Sequence, residues 1–139
     1  MTRRLWLLVA LATLFGFGHH VDHLIRGNHV GWPVSAAVTP FTYSLAVYPL
    51  IALGAALARR GRVGAGYWAI LSAAGLLFVG ALHFGPFAVE PPADILGPYR
   101  SRVAGWLALG WLVLFLAVLG VTALYATVLW HRGARARAI

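Results

Sequence analysis

Four long apolar runs constrain this chain more than any other feature. They cover residues 5–25, 35–58, 64–84 and 103–130, and Asp22 is the only acidic residue inside them. A bilayer hydrocarbon core of about 30 Å takes about 20 helical residues at about 1.5 Å each, and every run meets that length. The runs are continuous and lack the period-two alternation of strands, so they predict helices. The expected fold is therefore all-α, an integral membrane four-helix bundle with up-down-up-down order, formed by residues 1–139 as a single domain. Composition agrees. Hydrophobic residues make up 61% of the chain and charged residues 10%, against roughly 25% charged in ordinary domains.

The first run follows Arg3 and Arg4, as the apolar segment of a signal peptide would. It leads into His19-His20-Val21-Asp22-His23 rather than a small-x-small cleavage pattern, which predicts an uncleaved membrane helix. Arg59, Arg60 and Arg62 lie between the second and third runs, and Arg132, Arg135 and Arg137 follow the fourth. With four crossings these arginines share one side with Arg3 and Arg4, giving eight arginines and no acid there. The other side has Arg26, Arg100 and Arg102 together with Asp22, Glu90 and Asp94. The positive-inside rule then places both termini in the cytoplasm (N-in/C-in), with a bacterial plasma membrane as the expected location. A formal net charge of +8 would otherwise suggest nucleic acid. The arginines are scattered between apolar runs instead of forming one stripe, so no nucleic-acid partner is expected. The expected partners are the lipid bilayer and either a membrane-protein partner or further copies of the chain.

Several local features bear on packing. Pro40 and Pro49 fall in the second run, and Pro49 deprives the Leu45 carbonyl of its helical donor. Small residues four apart, Ala12/Gly16, Ala52/Ala56 and Ala69/Ala73, suit close helix contact. Trp6, Trp32, Trp68, Trp106 and Trp130 fall near the run ends, as an aromatic belt would. Pro91-Pro92 predicts the start of a short interfacial helix.

Chemistry concentrates at one end. There is no cysteine, which excludes thiolate ligands and thiol nucleophiles. His19, Asp22, His23 and Arg26 share an arc of about 100° on a helix, while His20 points elsewhere. Asp22 and Arg26 are spaced to pair, and Gly27-Asn28 reads as a helix stop. His83 falls at similar depth on the third run. His29, Glu90 and Asp94 lie on the same side, so five of the six histidines and all three acids gather there.

Three readings of this constellation stand side by side. In the first, His19, His23 and His83 bind a zinc, copper or iron ion, with Asp22, Glu90 or Asp94 as a fourth ligand or as an imidazole's partner. In the second, haem b sits between His83 and His20, or one of the neighbouring histidines. In the third, the histidines are interfacial residues bonded to water, headgroups and Asp22, with no cofactor. The spacing shares only its two histidines with the helical zinc-protease pattern, because His20 stands where the glutamate base would be. Whether the chain is an enzyme stays open. The functional expectation is a small polytopic membrane protein with a histidine- and aspartate-rich site at its extracytoplasmic end. A non-catalytic accessory subunit of a larger membrane complex is the alternative, and a transporter ranks third.

Overall fold

The computed structural model describes residues 1–27, 38–86 and 88–136. Among them are six helices: α1 (Arg3–Arg26), α2 (Pro40–Ser44), α3 (Val47–Arg59), α4 (Ala65–Phe84), α5 (Pro92–Leu96) and α6 (Arg102–Arg135). Four stretches are long and apolar enough to cross a membrane: α1, the α2–α3 pair taken as Pro40–Arg59, α4 and α6. Each matches an apolar run of the sequence within a few residues. The last long helix, α6, extends past Trp130 to Arg135, because Ala and Arg favour helix and the single Gly133 costs only about 1 kcal/mol.

The ends follow from local chemistry. Thr2 caps α1 by accepting from the Leu5 amide at 3.2 Å. Gly27, at φ 78°, ends it, as the Gly27-Asn28 signal predicts. Beyond α3, Gly61 turns the chain at φ 69°. There the Arg62 amide reaches the Leu57 carbonyl at 2.9 Å and the Gly61 amide reaches Ala58 at 3.1 Å, the paired bonds of a Schellman stop. The short helix expected at Pro91-Pro92 forms as α5.

The second apolar stretch is broken where Pro49 predicts trouble. Helix geometry lapses at Leu45–Ala46, and the Leu45 carbonyl accepts from the Tyr48 amide at 3.2 Å instead of from residue 49. Pro40 costs nothing, since it occupies the first turn of α2 behind a Thr39/Thr42 capping box.

The long helix α6 forms the spine, packing against α1 and α4 along its length and against α5 near its start. One core cluster joins Leu5, Val9, Trp68, Ala69 and Ala126. The other joins Ile95, Leu112, Phe115 and Leu119. The first unites the beginnings of α1 and α4 with the end of α6. By contrast α3 buries only Gly54, where a Cβ would meet the Tyr67 ring. The outward faces are apolar, with Leu7, Leu14, Leu77, Leu107 and Leu124 all more than half exposed.

Two packing expectations need correction. Trp68 is not a rim residue. It is 1% exposed, stands edge-on to Trp6 at 5.7 Å, and donates Nε1–H to Met1 Sδ. Ala52 and Ala56 are exposed and bring no helix close. Small residues are used instead to seat aromatic rings. A Cβ on Gly16 would lie 3.1 Å from the Phe115 ring, and one on Gly18 would lie 2.5 Å from Trp111. Trp32 lies outside the described residues.

Candidate metal centre

The last two turns of α1 present three imidazoles in two directions. His19 and His23, one helical turn apart, face α4 and α6. His20 faces α2 and α3. His83 arrives from the last turn of α4, so three buried histidines from two helices meet. One nitrogen from each of His19, His23 and His83 lies within 4.8 Å of the others. Ring centroids are 4.6 Å apart for His19 and His23, 5.1 Å for His19 and His83, and 5.8 Å for His23 and His83.

Hydrogen bonding decides which nitrogens are free. His83 Nδ1 lies 2.8 Å from the Glu90 carbonyl oxygen. That oxygen can only accept, so Nδ1 carries the proton and Nε2 keeps its lone pair. A backbone carbonyl holding one ring nitrogen while the other ligates is the usual arrangement around metal-bound histidine. His19 Nε2 and His23 Nε2 face each other at 3.2 Å. Two nitrogens about 2.05 Å from a tetrahedral zinc stand about 3.3 Å apart, so this separation suits a shared ion.

Charge enters from the loop after α4. Glu90 is 5% exposed. Its Oε1 accepts from Arg26 Nη1 at 2.5 Å, while Oε2 stands 3.5 Å from His23 Nε2 and 3.6 Å from His83 Nδ1. Oε2 has no hydrogen-bond partner, and neither has His23 Nδ1. A buried carboxylate oxygen without a donor is costly, and a cation beside the imidazoles would satisfy it. The donor set of three neutral nitrogens and one carboxylate oxygen suits zinc or iron(II).

Arg26 ties this cluster to the connection between α4 and α6. It is 6% exposed. Besides Glu90 it donates Nε–H to Asp22 Oδ2 at 2.8 Å, one turn back on α1, and Nη1–H to the Asp94 carbonyl at 3.3 Å. Asp22 Oδ1 accepts from the Tyr99 hydroxyl. Burial, with this bond and the Asp22 charge, pushes the Tyr99 phenol up to about 12.

The sequence-predicted residues therefore divide. His19, His23 and His83 meet, with Glu90 beside them. Asp22 is not among the converging atoms, because both its oxygens are engaged by Arg26 and Tyr99. Asp94 contributes its backbone carbonyl, and its side chain is exposed. His20 has both nitrogens occupied, Nδ1 by the Tyr48 hydroxyl and Nε2 by Ser44 Oγ, each at 2.7 Å. Axial ligation of haem through either His20 nitrogen would displace one of these two bonds. His29 lies outside the described residues. Sequence reasoning missed Ser44 and Tyr48 as partners of His20, and Tyr99 as a partner of Asp22. Those pairs are far apart in the chain, and no spacing rule connects them.

A cavity of about 600 Å³ opens beside the cluster, within the about 300–1,000 Å³ of ligand pockets. His19, His20, His23, His83 and Glu90 line one end, and the remainder is walled almost entirely by apolar side chains.

Comparison of the chain with protein-family models, with curated proteins and with solved structures gives no match. The fold and the cluster define it as an all-helical protein with four helices apolar enough to span a membrane and a buried three-histidine site.

Proposed function

We propose that this is a small polytopic membrane protein that holds one divalent transition metal, zinc by preference, on His19, His23 and His83 at the extracytoplasmic end of an N-in/C-in bundle. Glu90 completes the set, either as fourth ligand or as the charge beside it. The orientation rests on the arginine distribution.

One observation carries the metal: three buried imidazoles converge on a common point next to a carboxylate oxygen that has no partner. Such a group in a membrane is expensive and marks function by default. An ion so held would act as a Lewis acid or supply a bound hydroxide.

Metal analysis of detergent-purified protein tests the reading. The expected result is one equivalent of zinc or iron per chain, lost in His19→Ala, His23→Ala and His83→Ala and kept in His20→Phe. Metal-free protein that takes up no added zinc, in a folded state, overturns it. A Soret band lost in His83→Ala would replace it with haem.

A further inference from the structure

The cavity beside the histidines is more than an entrance. It runs along α1 from His23 back to Val9, about 21 Å at about 1.5 Å per residue. One bilayer leaflet contributes about 15 Å of hydrocarbon, so the cleft is longer than a leaflet is thick and has room for one extended lipid tail. Its far end reaches Trp68 and Ile51, and beyond the histidine end its walls are apolar apart from the hydroxyls of Thr13, Tyr43, Ser44, Tyr48 and Ser72. It exists because the second crossing stands off from the others. Only Gly54 and Pro40 of α2 and α3 are buried, and the anchors of that crossing are His20 above and the Tyr67 hydroxyl bond to the Leu50 carbonyl below.

The polar end has a definite charge. Asp22 and Glu90 against Arg26 leave one negative charge among buried and half-buried groups. A divalent ion on the neutral imidazoles turns that into one positive charge. A single anionic oxygen head restores neutrality in a low-dielectric site, where an uncompensated charge is costly.

We propose that this cleft binds one long-chain carboxylate. Its tail lies between α3 and the α1–α4–α6 wall, and its carboxylate meets the metal held by His19, His23 and His83. The inference rests on the metal reading above and adds the ligand class. Lipid solvates the tail as well as the cleft does, so the head supplies the selectivity. An uncharged ester of the same tail is the discriminating probe.

The test uses the full chain, loaded with zinc in phosphatidylcholine nanodiscs, with native mass spectrometry and metal analysis as readouts. Palmitate is expected to bind one per chain, and methyl palmitate at least about tenfold more weakly, since it lacks the charge-assisted contact. Thr13→Phe, which fills the middle of the cleft, is expected to keep its zinc and to lose palmitate affinity by about tenfold or more. Val47→Trp, on the opposite wall, is the second blocking variant and is used if Thr13→Phe does not fold. Zinc bound at one equivalent with palmitate and its ester held equally, or with neither blocking variant altering palmitate, overturns the carboxylate site and leaves the metal centre standing. A phospholipid or a second copy of the chain filling the cleft in place of palmitate does the same. Protein that binds no zinc removes the metal centre itself, and the two failures are told apart by the metal analysis.

Discussion

At the scale of single residues, Arg26 and Glu90 hold the histidine end of the bundle together. Their side chains are 1% and 7% exposed. Without Glu90, Arg26 keeps Asp22 at 2.8 Å and loses one charge-assisted hydrogen bond, worth about 1.5–3 kcal/mol. Glu90→Ala is therefore expected to destabilise the protein by about that amount, read as a shift in its denaturation midpoint in detergent. A change near zero would show that the pair is solvated in the native protein. Tyr99 gives a second prediction, through pH. Its phenol is raised from about 10 in the unfolded chain to about 12 in the fold, so the folded state favours the protonated form. The stabilisation it supplies is complete below about pH 10 and is lost as pH rises towards about 12. The stability difference between wild type and Tyr99→Phe should shrink across that window, and a constant difference would break the link to Asp22. The sequence revealed part of this arrangement. Asp22 and Arg26 were legible as a pair because one helical turn separates them. The bonds from Arg26 to Glu90 and from Tyr99 to Asp22 were not, because they close over 64 and 77 residues of chain.

At the scale of elements, the α2–α3 stretch is the weak one, and its chemistry says where it is fastened. The Leu45–Ala46 break allows Ser44 and Tyr48, on either side of it, to grip the two nitrogens of His20. Replacing His20 with Phe removes both bonds, a loss of about 1–3 kcal/mol where a donor or acceptor is left buried. Hydrogen exchange is expected to accelerate across residues 40–59 in His20→Phe while α6 keeps its protection. Uniform acceleration would mean that this stretch is held by something other than His20. The variant should retain its metal, which separates an anchoring histidine from the ligating ones. The break itself was legible from Pro49, through the carbonyl that the missing amide leaves behind. Its use was not legible, since periodicity says which face His20 occupies and nothing about which helix covers that face. The same limit misplaced Trp68. Position near a run end suggested the rim, and packing against Met1 and Trp6 put it in the core.

At the scale of the whole molecule, length and hydropathy made the four long apolar helical stretches readable, whereas the site depended on which helix ends meet. Orientation is where charge and packing make a joint prediction. The clustered histidines occupy the end to which α1 and α4 run, and Arg3, Arg4, Arg59, Arg60, Arg62, Arg132 and Arg135, on the proposed inner side, lie at the opposite end. Moving arginine through a hydrocarbon core is costly, and the bias of Arg across short connections sets orientation during insertion. The chain has no cysteine of its own, so single cysteines report without a background. An impermeant thiol reagent applied to intact cells should label Asp94→Cys and leave Gly61→Cys and Arg135→Cys unlabelled until the membrane is opened. The reverse pattern would put the metal centre on the cytoplasmic side. Glutathione and metal-buffering proteins would then compete for the ion there, and the proposed extracytoplasmic site would have to be abandoned even if the three imidazoles bind metal as proposed. Equal labelling of all three positions in intact cells would deny the alternating crossings altogether, and with them the reason why the ends of α1 and α4 meet.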